Sequence, residues 1–305
     1  MSIPAAYLTV ILIWSTTPLG IHWSGVGVGY EFGVAARMLI GLIALLTIIR
    51  LRRLSLPWDT HARYVYLASG LPLFIAMSFV YWSAQFVPSG WISVIFGLSP
   101  LFTSVFAFFV LKEQAFTAAR LLGMLLGLAG LAVVFAESIN LSGMALMGVI
   151  GVTLSAMSQS LGAVFIKRLK PHMHPISITT GGLIFAVPLF ALNCFIGSGL
   201  PDDIPVSTLA AIIYMAVIAT TLGFPLYFYL LKNINAERVA LIALITPVTA
   251  LLLGASLNGE IITPKVWLGT ALILAGLGIY EYGKYLPFKT EWKRKWQMRW
   301  NQRPL

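Results

Sequence analysis

The feature that most constrains this chain is a series of ten apolar runs, at residues 3–20, 32–49, 64–85, 90–111, 121–136, 143–166, 176–196, 208–231, 239–257 and 266–282. Each is close to the roughly 20 residues a helix needs to cross the hydrocarbon of a bilayer. In hydrocarbon the backbone must satisfy its own N–H and C=O groups, and the runs lack the alternation of a barrel strand, so they predict helices. Composition closes the other routes. Only 10% of the residues are charged and 59% are hydrophobic, whereas a soluble domain carries about a quarter charged residues. The fold class expected is therefore an all-α membrane protein with ten transmembrane helices. A soluble enzyme, a nucleic-acid-binding domain and a disordered scaffold are all poor fits.

Basic residues give the expected orientation. With the amino terminus cytoplasmic, eighteen of the 20 Lys and Arg fall in inward loops or in the carboxyl-terminal segment, Lys265 is the one outside, and Arg37 lies within a span. The loop after the seventh span instead carries Asp202 and Asp203. Both termini are expected in the cytoplasm, in a multi-pass protein of the bacterial inner membrane. The amino-terminal stretch has no Lys or Arg before its apolar run and reads as a retained first span rather than a secretory signal. The single cysteine, Cys194, forbids an intrachain disulfide and a cysteine metal cluster.

The segment FVPSGWISVIFGLSPLFTSVFAFFVLKE, ending at Glu113, can be laid on NINAERVALIALITPVTALLLGASLNGE, ending at Glu260. In both, thirteen residues separate a mid-helix proline, Pro100 or Pro247, from the terminal carboxylate. A glycine-spaced helix follows each, with Gly123 and Gly130 in one half and Gly269 and Gly276 in the other. These spacings predict two five-span repeats, residues 1–137 and 138–285, followed by a tail at 286–305. Five is odd, so the second half would enter the membrane inverted, an architecture that secondary transporters use for alternating access.

The same residues resemble the EamA-like branch of the drug/metabolite transporter superfamily, over essentially all of residues 3–285. The carriers are LIWSTTP at 12–18, AARMLIG around Arg37, VPSGWISVIFGLSPLF with VLKE at Glu113, and ERVALIALITPVTALLLG with NGE at Glu260. The resemblance implies a ten-span inner-membrane carrier, usually an exporter of amino acids or related small metabolites. The chain departs from the family at Gln159, where a Trp equivalent to Trp14 is common.

Polar groups at membrane depth are costly and are candidates for a transport pathway. Arg37 lies about seven residues into the second span, roughly 10 Å below the surface at 1.5 Å per residue. Two readings are open to it: an anchor that snorkels to the interface, or a cavity-facing cation for an anionic group such as a carboxylate. Helical faces supply further substrate-binding candidates. Trp14 and Thr17 share the first span, Met77, Tyr81 and Gln85 recur at intervals of four in the third, and Ser155 and Gln159 do so in the sixth. Phe96 and Tyr227 complete the set. The bland alternative is that hydroxyls bond their own helix and that Gln85 belongs to an interfacial belt with Tyr81 and Trp82. Pro100, Pro225 and Pro247 are assigned to kinks and gating, since each removes a backbone donor.

No central carboxylate or His is available for proton coupling, so facilitated export is the simpler expectation, with proton antiport through Glu113 or His22 the alternative. No cofactor or metal site is expected, and His172 and His174 read as a solvated loop pair. Glycines at 123 and 127 and alanines at 271 and 275 form small-residue faces for helix packing within the monomer or in a homodimer. In the tail, Trp292, Trp296 and Trp300 recur every four positions among Lys293, Arg294, Lys295 and Arg299, the pattern of an interfacial helix binding anionic lipid rather than nucleic acid. A carrier of a small-molecule substrate fits these features better than a channel or a membrane enzyme. Amino-acid or metabolite export leads, and efflux of drugs or dyes is the runner-up.

Overall fold

The structure, a computed structural model, describes residues 2–112, 118–141, 143–233 and 242–283. Among these residues every regular element is helical. In chain order they are α1 (Ile3–Trp23), α2 (Tyr30–Arg52), α3 (Thr60–Ser83), α4 (Ser89–Phe96), α5 (Ser99–Leu111), α6 (Ala118–Leu141), α7 (Gly143–Leu169), α8 (Pro175–Ile196), α9 (Val206–Tyr214), a π-helical segment (Met215–Gly223), α10 (Phe224–Asn233), α11 (Ile242–Asn258) and α12 (Pro264–Tyr282). Seven helical stretches are long and apolar enough to cross a bilayer, counting α4 with α5 and α9 through α10 as single stretches, and three shorter apolar helices lie within α6, α11 and α12. Glu113 and the tail at 286–305 lie outside the described residues.

The three assigned prolines behave differently. Pro100 is not mid-helix: α4 ends at Phe96, the Leu98 amide bonds only three residues back to the Ile95 carbonyl at 3.0 Å, and Pro100 sits in the first turn of α5. There its missing N–H is one that a helix start leaves unpaired anyway. Pro247 does lie inside a helix, and α11 runs on through it. Pro225 is the second residue of α10, directly after the π-helical segment, in which the Thr221 hydroxyl donates to the Ala216 carbonyl five residues back at 2.8 Å. A proline cannot donate to the preceding turn, which leaves the ladder there free to widen.

The helices pack as a bundle in which α3 lies against α7 and α8, α2 against α8, α1 against α11, and α6 against α12. The α6–α12 contact is backbone to backbone. A Cβ on Gly123 would lie 2.5 Å from the Gly276 carbonyl oxygen, and one on Gly130 2.6 Å from that of Gly269. The small-residue face of α6 therefore meets glycines of α12 rather than Ala271 and Ala275, which are exposed, while Gly127 faces Leu98 and Leu101. Lys265 and Glu137 form an ion pair of 3.0 Å between these two helices.

The two ends of the bundle are tied by different loops. At the first end, His22 Nδ1 lies 3.0 Å from the Ala84 carbonyl, Thr208 donates to the Val26 carbonyl at 2.7 Å, and Trp23 Nε1 donates to Asn258 Oδ1 at 3.0 Å. At the second end, Ser177 donates to the Ser55 carbonyl at 2.7 Å and His61 Nε2 lies 2.9 Å from the Leu169 carbonyl. His174, one of the two loop histidines, caps α8 by accepting from the Ile176 amide at 3.2 Å.

Candidate functional site

α2 carries Arg37 between two glycines at helical spacing, Gly33 and Gly41, so that one face offers small, cationic and small surfaces on successive turns. A Cβ on Gly33 would collide with the Ser24 carbonyl oxygen, and one on Gly41 would lie 2.7 Å from Thr220 Cγ2. The two glycines thus let the end of α1 and the π-helical segment close around the arginine, as small residues do at membrane helix contacts. Arg37 is only 2% exposed, so its head is enclosed by protein.

Within this enclosure Arg37 Nε donates to Thr220 Oγ1 at 2.9 Å and Nη1 to the Tyr81 hydroxyl at 3.2 Å. The Ser24 hydroxyl lies 3.3 Å from that of Tyr81 and donates to the Ile21 carbonyl at 3.0 Å. Thr220, Tyr81 and Ser24 are themselves buried. Among the described residues no carboxylate pairs with Arg37. A guanidinium carries five N–H donors, and only two are engaged here, so a cation enclosed by hydroxyl dipoles keeps donors for an anion.

The other sequence candidates divide. The rings of Trp14 and Tyr227 pack at a tilt of 43° with centroids 4.9 Å apart, and Trp14 joins the main apolar core to a smaller cluster of Ala6, Val10, Ile11, Leu230 and Ile242. Gln159 is half-buried and has no hydrogen-bond partner among the described residues. Met77 is buried in the core with Tyr81, and Phe96 packs against that core at the end of α4. Three candidates are spent elsewhere. Thr17 donates to the Ile13 carbonyl of its own helix at 2.7 Å, Ser155 donates across to the Ala76 carbonyl of α3 at 2.6 Å, and Gln85 is exposed, with Nε2 donating to the Trp82 carbonyl at 3.1 Å.

Sequence reasoning missed Thr220 as an Arg37 partner and Ser24 as a neighbour of the Tyr81 hydroxyl. The Gly33–Arg37–Gly41 spacing was the signal that could have revealed a closely enclosed cation. It also left Glu260 without a role. That carboxylate accepts from the Ser89 amide at 2.9 Å, the Gly90 amide at 3.1 Å and Asn258 Nδ2 at 3.0 Å, at the N-terminus of α4. Burial pushes the carboxyl up, but the donors of Ser89, Gly90 and Asn258 outweigh it and hold the group below its ordinary 4.5.

Comparison with known proteins finds relatives along nearly the whole chain. The model of the EamA-like transporter family matches the chain twice, over residues 2–136 and 146–280. The uncharacterized transporter YoaV of Bacillus subtilis is 26% identical over 278 residues, covering 88% of this chain and 93% of that protein. A probable amino-acid metabolite efflux pump of Escherichia coli is 25% identical over 291 residues, covering 90% and 93%. Among solved structures, the crystal structure of a protein superposes with a TM-score of 0.65 at 21% identity, covering 92% of this chain and 97% of that one, which shows a shared fold. The chain is a multi-pass membrane transporter by these matches and by its apolar helices.

Proposed function

Since this chain belongs to the EamA-like transporter family, we propose that it is a secondary carrier that exports small metabolites, amino acids or related compounds, across the inner membrane by alternating access. The proposed frame is ten spans in two inverted repeats, residues 1–137 and 138–285, with both termini cytoplasmic, so that the first end of the bundle faces outward. The double match of the family model to the two halves supports the repeat, and the efflux pump named among the relatives supports the substrate class.

The observation that carries the reading is Arg37, buried with two hydroxyl partners and no carboxylate among the described residues. A buried cation without a counter-charge is costly and gains most from an anionic ligand group. A substrate carboxylate can take a bidentate pair from the free guanidinium donors, while Trp14 and Tyr227 offer apolar surface to the rest of the molecule. Transport is facilitated in this reading.

Counterflow into liposomes with a panel of amino acids, sugars, nucleosides and cationic dyes tests it. Trans-stimulation by amino acids but not by dyes is the expected result. Exchange of dyes alone would replace the reading with multidrug efflux, and an absence of any exchange in folded protein would remove the carrier reading. Collapse of the proton gradient is expected to leave uptake of a neutral substrate unchanged.

A further inference from the structure

We propose that Glu260 is a gate residue of the transport cycle: its carboxylate, bound to the N-terminus of α4, holds the first end of the bundle shut and must leave that helix for substrate to pass. The proposal rests on the alternating-access reading above, under which this end faces outward.

The first turn of any helix presents amides with no partner inside it. In α4 the N-cap position is Pro88, which offers no side-chain acceptor. The cap comes instead from the loop that follows α11: Glu260 Oε1 accepts the Ser89 amide and Oε2 the Gly90 amide. Asn258 then extends the link, with Nδ2 donating to Glu260 Oε1 and Oδ1 accepting from Trp23 Nε1 of α1. One carboxylate and one carboxamide thus join the ends of α1, α4 and α11, which are remote in sequence.

The local backbone is shaped for this contact. Gly259, at φ +65°, turns the chain back so that the Glu260 amide donates to the Gly254 carbonyl at 3.1 Å. A side chain at 254 would collide with Glu260 Oε2, and one at 90 would lie 2.7 Å from Leu251 Cδ2 and 3.0 Å from Leu251 Cα. The link is also of a kind that can open. Every bond in it is a hydrogen bond that water can replace on both sides, unlike the glycine-to-carbonyl packing that seals α6 against α12.

The latch is continuous with the Arg37 site. Trp23, which it holds, is followed in sequence by Ser24, whose hydroxyl contacts Tyr81 beside the guanidinium. Moving the end of α1 outward would therefore disturb both sets of bonds together. With the latch closed, Arg37 and, one turn along α4, Ser93 are both buried.

The test uses the full chain in sealed vesicles of each orientation, carrying Ser93→Cys in a Cys194→Ser background and a membrane-impermeant maleimide as the probe. With Glu260 present, labelling from the first end is slow. Glu260→Gln, and independently Gly254→Ala, which keeps the carboxylate but denies it its place, are expected to speed labelling from that end by about tenfold, the population shift that losing one charge-assisted hydrogen bond produces. Unchanged rates in both variants, or acceleration only from the opposite end, would overturn the proposal, provided each variant is as monodisperse as the parent; an aggregated variant is set aside and the other one decides. Counterflow in the same vesicles separates the two readings. Faster labelling without exchange of any compound keeps the latch and removes the carrier, whereas normal exchange with unchanged labelling removes the latch alone.

Discussion

Arg37 and Glu260 are two charged groups placed toward the same end of the bundle, and they are satisfied in opposite ways. Both carboxylate oxygens of Glu260 are engaged, by two backbone amides and the Asn258 carboxamide, all within the protein. Arg37 has two neutral hydroxyls and unused donors, although it is the more deeply enclosed of the two. A charge removed from water needs partners for its bonding capacity as well as its sign. Glu260 has found them at a helix start, where the dipole also favours an anion. Arg37 has not, and the difference separates a group closed on the protein from one open to a ligand.

The largest expected effect breaks the open side of this contrast. Arg37→Gln keeps hydrogen-bonding groups and similar length but removes the charge, and deleting one partner of an enclosed charge pair costs about 2–5 kcal/mol. Counterflow at low substrate should fall about thirtyfold or more, while the amount of protein in the membrane stays unchanged. Arg37→Lys should not restore it, because a single ammonium cannot reach Thr220 and Tyr81 from two nitrogens and also fork onto a carboxylate. Exchange at the unaltered rate in Arg37→Gln would make the residue structural and erase its difference from Glu260.

A smaller effect probes the enclosure itself. Gly33→Ala places a methyl against the Ser24 carbonyl, a backbone atom that cannot swing aside. Overpacking of this kind costs about 1–3 kcal/mol, and it should lower the thermal midpoint and loosen the contacts around Arg37. Gly278→Ala is the matched control, since nothing lies within 4 Å of a Cβ there, and its midpoint should stay within the small range of an unconstrained surface change. Equal midpoints for the two variants would mean that α1 does not press on α2 at Gly33.

The all-helical fold and the unusual position of Arg37 were legible because both are one-residue or one-period signals: apolar run length sets a helix, and an arginine inside such a run needs a reason. Pro100 and Pro247 show where that legibility stops. Their thirteen-residue spacing to a carboxylate is the same, yet Gly97 and Leu98 interrupt the helix before one and α11 continues through the other. At the interruption, a Cβ on Gly97 would lie 3.3 Å from Ile273 Cγ2 of α12 and 3.6 Å from Pro247 Cγ of α11, remote neighbours that the spacing within one span does not show. Ser24 and Thr220 were invisible for the same reason, since a hydroxyl in a membrane helix usually bonds its own preceding turn, as Thr17 does. Only the approach of the π-helical segment brings Thr220 to the guanidinium, and only that of α1 sets Ser24, which still bonds its own preceding turn, beside the Tyr81 hydroxyl.

The smallest effect sharpens the closed side. The donors around Glu260 hold its carboxyl below the ordinary 4.5, so the folded protein keeps it ionised to lower pH than the unfolded chain does. Such a group contributes stability in full above the unfolded value and loses it as pH falls through the lower folded value. The thermal midpoint of the parent protein should therefore fall between neutral pH and the range below 4.5 by more than that of Glu260→Gln, because the variant has no proton to take up at this site. The contrast with Arg37 gives the comparison its direction: a guanidinium stays charged throughout this range, so Arg37→Gln should leave the acid slope of the parent in place. Parallel slopes in the parent and Glu260→Gln would mean that the carboxylate is not ionised against α4 in the folded protein, and the two charges would no longer differ in the way their hydrogen bonds require.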